Sequence, residues 1–67
     1  MKPEVGKKVR DTKPEYQGDV GTIEEIQHTR KGEYVLVKWD ENTAHGEGTY
    51  RRYRPKNFGM LGRFKSL

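Results

Sequence analysis

Sixty-seven residues, only 30% of them hydrophobic, can bury one thin apolar layer, so the chain is read as one domain near the lower size limit for independent folding. It has no cysteine, which excludes a disulfide framework and a Cys-ligated zinc site, and no apolar run near the ~20 residues of a membrane-spanning helix. The net charge of +4 is unevenly placed, because residues 48–67 carry Arg51, Arg52, Arg54, Lys56, Arg63 and Lys65 and no acid.

A charged content of 36% would suit a disordered chain. The tryptophan, the four spaced tyrosines and the strand-like patterning argue instead for an ordered domain over residues 1–67, with a core across 5–61 and frayed ends. The opening residues Met1, Lys2, Pro3 and Glu4 lack the apolar segment of a signal peptide, so a cytoplasmic location is expected.

Taken in chain order, Val5 and Val9 share one face of a short strand whose start is limited by Pro3. Residues 12–18 form a loop punctuated by Pro14 and Gly18, with Tyr16 between them. Residues 19–26 are rich in β-branched side chains, but Val20, Ile23 and Ile26 fall three apart. A straight strand would put them on opposite faces, so a bend or bulge near Gly21 is expected. A helix is the competing reading, and two glycines with β-branched neighbours make a poor one. Residues 28–32 connect to a second strand, with Gly32 available for positive φ. There Val35, Val37 and Trp39 alternate with Tyr34, Leu36 and Lys38, the period of a half-buried strand.

Residues 40–48 read as a turn-rich loop with almost nothing to bury. Residues 49–54 favour a strand that Pro55 stops, Lys56 and Asn57 make a tight turn, and residues 58–61 form a last strand before a tail. Five short strands without a credible helix predict an all-β fold, a curled antiparallel barrel. Val5, Val9, Val20, Ile23, Ile26, Val35, Val37, Trp39, Phe58 and Leu61 would line it.

Gly6-x-x-Val9-Arg10, Gly18-x-x-Gly21-Thr22-Ile23-x-x-Ile26, Val35-x-Val37-x-Trp39-Asp40, a Tyr-Arg pair and Leu61 together resemble the MIB/HERC2 domain. That resemblance implies a small five-stranded SH3-like barrel serving protein recognition. The Tyr-Arg pair is either Tyr50-Arg51 or Tyr53-Arg54. Residues 12–18 are shorter than the family's glycine- and aspartate-rich segment and lack its tryptophan. Residues 18–37 are also similar to a KOW element, which implies contact with RNA or ribonucleoprotein.

The candidate site is the basic and aromatic segment Tyr50, Arg51, Arg52, Tyr53, Arg54 and Lys56, with Tyr16 from the loop. In a strand, Tyr50, Arg52 and Arg54 share one face and Arg51 and Tyr53 the other. Guanidinium forks with tyrosines suit a protein partner bearing an acidic or extended segment; they equally suit nucleic-acid phosphates and bases. The plainer reading is that these arginines pair with the chain's own acids. Trp39 is read as core, with its N–H bonded inside. Tyr34 and Leu36 are either an exposed docking or dimer patch, in a monomer or weak homodimer, or are capped by Phe64 and Leu67.

Catalysis is not expected. His28 and His45 sit in separate loops, and Ser66, the one serine, has no base beside it. Asp40, His45 and Glu47 are a weak metal set, so no metal or cofactor is expected.

Overall fold

The β2–β3 hairpin organises the fold. The structure, a computed structural model, describes residues 1–46 and 48–67. Strands β2 (Val20–Thr29) and β3 (Gly32–Trp39) pair antiparallel from Gly21 opposite Trp39 to Thr29 opposite Gly32. Arg30 and Lys31 make the turn, closed by Gly32 at φ 112°, a conformation that favours glycine. The Thr29 hydroxyl accepts from the Lys31 amide at 3.2 Å and donates to the Gly32 carbonyl at 2.7 Å. The alternation in β3 is as expected, with Val35, Val37 and Trp39 all buried.

The irregularity in β2 lies between Ile23 and Glu25 rather than at Gly21. One extra residue there resets the side-chain parity, so Ile23 opposite Val37 and Ile26 opposite Val35 both reach the inner face. Gly21 has a different task. A Cβ at this position would stand 2.7 Å from a Val37 methyl and 2.8 Å from the Trp39 ring, so the missing side chain lets the indole lie against the backbone of β2.

Three further strands complete an all-β fold: β1 (Lys8–Asp11), β4 (Tyr50–Tyr53) and β5 (Phe64–Ser66). One antiparallel sheet of order β4-β3-β2-β1-β5 results, with 3-10 turns at Pro14–Tyr16 and Pro55–Phe58. β4 and β5 are the sheet's two edges and do not pair with each other. The sheet nevertheless curls enough to bring Tyr53 of β4 within 4.6 Å of Phe64 of β5, ring centroid to ring centroid.

The ends of the chain differ from expectation. The strand predicted over residues 58–61 is absent, because Pro55 starts a 3-10 turn that delivers Phe58 to the core from below the sheet. Leu61, expected inside, is 98% exposed; Val5 precedes β1 in a turn and is 63% exposed, and Val20 and Ile26 are only half-buried. The tail carries a strand and a core residue that were not expected there. Gly62 lies so close to the Asn57 backbone that a side chain would not fit, and this tight reversal brings Phe64 into the core and β5 alongside β1. At the other terminus, the Met1 ammonium donates to the Phe58 carbonyl at 2.9 Å.

The finished core is Val9, Ile23, Val35, Val37, Trp39, Phe58 and Phe64, flanked by Met1, Ile26 and Tyr53. Truncation should separate the two candidate tail anchors. Phe64→Ala is expected to cost about 3–5 kcal/mol, enough to unfold most molecules of so small a domain, whereas Leu61→Ala stays within about 0.5 kcal/mol in urea titration.

Candidate binding site

β1 places a carboxylate in the apolar layer. Val9 and Asp11 lie two apart, so both face inward and both are fully buried. Arg63 answers that charge as a fork, donating from Nε to Asp11 Oδ1 at 2.8 Å and from Nη2 to Oδ2 at 2.7 Å. The Lys13 amide adds a bond to Oδ1 at 2.9 Å. The guanidinium also rests against the rings of Tyr16, Tyr53 and Phe64 at 5.3, 5.3 and 4.9 Å. The Asp11 carboxylate bonded to it is the main reason its pKa is raised above the ordinary arginine value.

His45 extends this cluster, although it comes from the loop where little was expected to bury. Its ring lies between Tyr16 and Trp39, each 3.8 Å away and nearly parallel. Nδ1 is 2.7 Å from Asp19 Oδ2, and the His45 amide donates to the same oxygen at 3.0 Å. A carboxylate only accepts, so Nδ1 carries the hydrogen. Nε2 lies 3.2 Å from Asp11 Oδ2 and 3.3 Å from Arg63 Nη2. Burial acts to raise the Asp19 pKa, but bonds from the Ala44 and His45 amides and the His45 ring outweigh it and hold the group below its usual value.

No buried side-chain nitrogen or oxygen among the described residues is left without a partner. Both His45 ring nitrogens are engaged, so the cluster works as a structural lock joining β1, the 3-10 turn at Pro14–Tyr16, the 40–48 loop and the segment before β5. Among the described residues no three His, Asp or Glu side chains converge as a metal would need. Glu47, one member of the trio considered from sequence, lies outside the described residues.

β4 divides the sequence-predicted site residues between two faces. Arg51 and Tyr53 point to the inner side, where a notch of about 120 Å³ is lined by Lys13, Tyr16, His45, Arg51, Tyr53 and Arg63. Tyr16 and Tyr53 are largely committed to packing there. Tyr53 accepts the Trp39 indole N–H at 3.0 Å, and burial is the main cause of its raised pKa. The buried N–H expected for Trp39 is therefore satisfied inside.

Tyr50, Arg52 and Arg54 belong to the outer face. Arg52 and Arg54 lie 4.7 and 4.0 Å over the Tyr34 ring, and Lys38 lies 5.6 Å over Tyr50. Arg54 also donates to the Lys31 carbonyl at 2.9 Å, clamping the end of β4 to the β2–β3 turn. Tyr34 is thus covered by arginines. It is not covered by the tail, whose Phe64 is in the core and whose Leu67 is exposed. Lys56 stands apart, exposed in the turn at Pro55–Phe58.

The plainer expectation, arginines neutralised by the chain's own acids, is not what β4 contains. Among the described residues Glu4 pairs with Lys7, Asp40 with Lys8, Glu15 with Lys13 and Glu33 with His28, while Arg51, Arg52 and Arg54 meet no carboxylate. A wider, open depression on the molecule is lined by Thr22, Glu24, Lys38, Trp39, Asp40, Glu41 and Gly48, and its carboxylates leave it unsuited to an acidic ligand.

Sequence reasoning missed the Asp11–Arg63–His45–Asp19 cluster. Half of it had a signal, since Asp11 shares a face with buried Val9 and so demanded a cation. Comparison with protein-family models, curated proteins and solved structures returned no match.

Two measurements follow from the cluster. Arg63→Leu leaves Asp11 buried without its counter-charge and should cost about 3–5 kcal/mol. Because the Asp19 pKa is depressed in the folded state, its contribution is complete above the ordinary 3.8 and is lost as pH falls through the lower folded value. Urea midpoints should therefore drop on acidification below that point, and Asp19→Asn should flatten this acid limb while lowering stability at neutral pH.

Proposed function

We propose that this chain is a non-catalytic binding module that recognises a protein partner through an acidic, extended segment, using the basic and aromatic surface of β4. The observation that carries the reading is two arginines on one exposed edge strand, followed by Arg54 just past its end, with no carboxylate partner among the described residues. A guanidinium presents a planar set of donors matched to a carboxylate, and one already held against a tyrosine loses less side-chain freedom on binding. Arg52 and Arg54 on Tyr34 meet that condition.

Charge placement favours a peptide over a phosphate backbone. Glu25 faces Leu36 and Leu36 faces Arg52, so one row across the outer face runs from acid to apolar to base. A short acidic segment can stay on the basic end of that row, whereas a long polyanion would also pass the acids of β2 and the 40–48 loop. Nucleic acid is the second reading, because Tyr50 is 53% exposed with a lysine beside it, as base stacking requires.

One titration decides between them. A fluorescent Glu-rich peptide and a single-stranded oligonucleotide of equal charge are added separately at low and at physiological salt. The peptide is expected to bind, and Arg51→Glu with Arg52→Glu should weaken it about tenfold or more, since neither side chain packs in the core. Oligonucleotide binding with a steep salt dependence, and none of the peptide, would reverse the assignment.

A further inference from the structure

We propose that β4 is an open docking edge and that the partner's acidic segment binds as a sixth strand on it, through main-chain hydrogen bonds to Tyr50 and Arg52. This inference rests on the acidic-partner reading above and adds the mode of binding and the pattern of the ligand.

Backbone parity decides which groups of β4 are free. The Trp39 amide donates to the Thr49 carbonyl at 2.9 Å, and the register continues with Val37 opposite Arg51 and Val35 opposite Tyr53. In an antiparallel ladder, backbone groups of alternate residues point to opposite neighbours. Thr49, Arg51 and Tyr53 therefore face β3, and Tyr50 and Arg52 direct their N–H and C=O groups away from the sheet. β4 is terminal in the strand order, and Tyr50, Arg51 and Arg52 are all exposed, so no described element covers that edge. The free stretch is short. Asn57 takes the Arg54 carbonyl through both its amide, at 3.0 Å, and its side chain, at 3.2 Å, and Pro55 ends the strand.

Charge selects the occupant. A second copy of β4 would set Arg51 and Arg52 against their own counterparts, and like charges in facing positions oppose pairing. An acidic strand reverses that sign. A ligand residue facing Arg52 would place its side chain on the outer face beside Arg52 and Tyr34. Its neighbours would point to the inner side, toward Arg51 and the notch that Lys13 and Tyr53 line. The ligand pattern that fits is acids spaced two apart over the outer face, with inward residues alternating between an acid near Arg51 and an apolar side chain near Tyr53.

The β5 edge does not compete. It is three residues long, and its single lysine is turned back to the Met60 carbonyl.

The test leaves the protein unmutated. The probes are a capped octapeptide with Glu at every second position and Val and Glu by turns between them, the same peptide N-methylated at its two central residues, the Gln analogue, and an oligonucleotide of equal charge. Binding is read by fluorescence, and amide exchange is read residue by residue. The expected result is that the Glu peptide slows exchange at Tyr50 and Arg52. N-methylation, which removes main-chain donors and keeps every charge, should weaken binding about tenfold or more, and the Gln analogue should bind more weakly still. If the N-methylated peptide binds as tightly as the parent, or exchange at Tyr50 and Arg52 is unchanged, strand addition is overturned while recognition of acids stands. If no acidic peptide binds, or only the oligonucleotide does, the acidic-partner reading itself fails. If those two amides are slowed by raising protein concentration alone, the occupant is a second copy and the proposal is wrong.

Discussion

The placement of Trp39 constrains most of this molecule. An indole is too large for a thin core unless something makes room, and its N–H is costly to bury without an acceptor. Gly21 supplies the room, Tyr53 supplies the acceptor, and His45 stacks on the ring face. These three come from β2, β4 and the 40–48 loop, so one side chain at the end of β3 sets the position of its neighbours on both sides and of the longest loop. Tyr16 then stacks outside His45, and the loop before β2 is drawn in as well.

A buried carboxylate in so small a domain needs a physical account. Placing Asp11 inside incurs a desolvation cost that a lone ion pair rarely recovers. Here the carboxylate accepts two guanidinium bonds and a backbone amide, and the guanidinium is itself sandwiched by aromatic rings. The cluster is fully satisfied, the condition under which a buried polar network specifies a single arrangement without weakening the core. It also accounts for the placement of the last strand. Arg63 is held by Asp11, its neighbour Phe64 is thereby aimed into the core, and β5 pairs with β1 as a result.

How far the sequence could be read followed the range of the interactions involved. The β3 face, the need for an irregularity in β2, and the split of Tyr50, Arg52 and Arg54 from Arg51 and Tyr53 all follow from side-chain period, which is local. The position of the bulge was not legible, because Gly21 looked like the flexible point when it was the contact point for an indole eighteen residues away. The choice between Leu61 and Phe64 turned on whether the last strand began at residue 58, straight after the turn, or only at Phe64 after a second reversal, which depends on long-range packing. His45 had no local signal at all. Its burial follows from Asp11 and Asp19 being in place, and those contacts span 34 and 26 residues.

The basic side chains illustrate how the fold separates structural charge from available charge. Arg63 and Arg51 both reach the inner notch, yet Arg63 is consumed by Asp11 and Arg51 has no carboxylate among the described residues. The difference is topological. Arg63 belongs to the segment that must close against β1, and closure requires the charge pair. Arg51 and Arg52 lie on a strand whose second edge meets no described element, so closure of the sheet does not use their charge. Positive charge on such an edge already has a use, since it keeps identical strands from pairing. On the reading proposed above the same charge serves twice, because what opposes an identical strand does not oppose one of opposite sign.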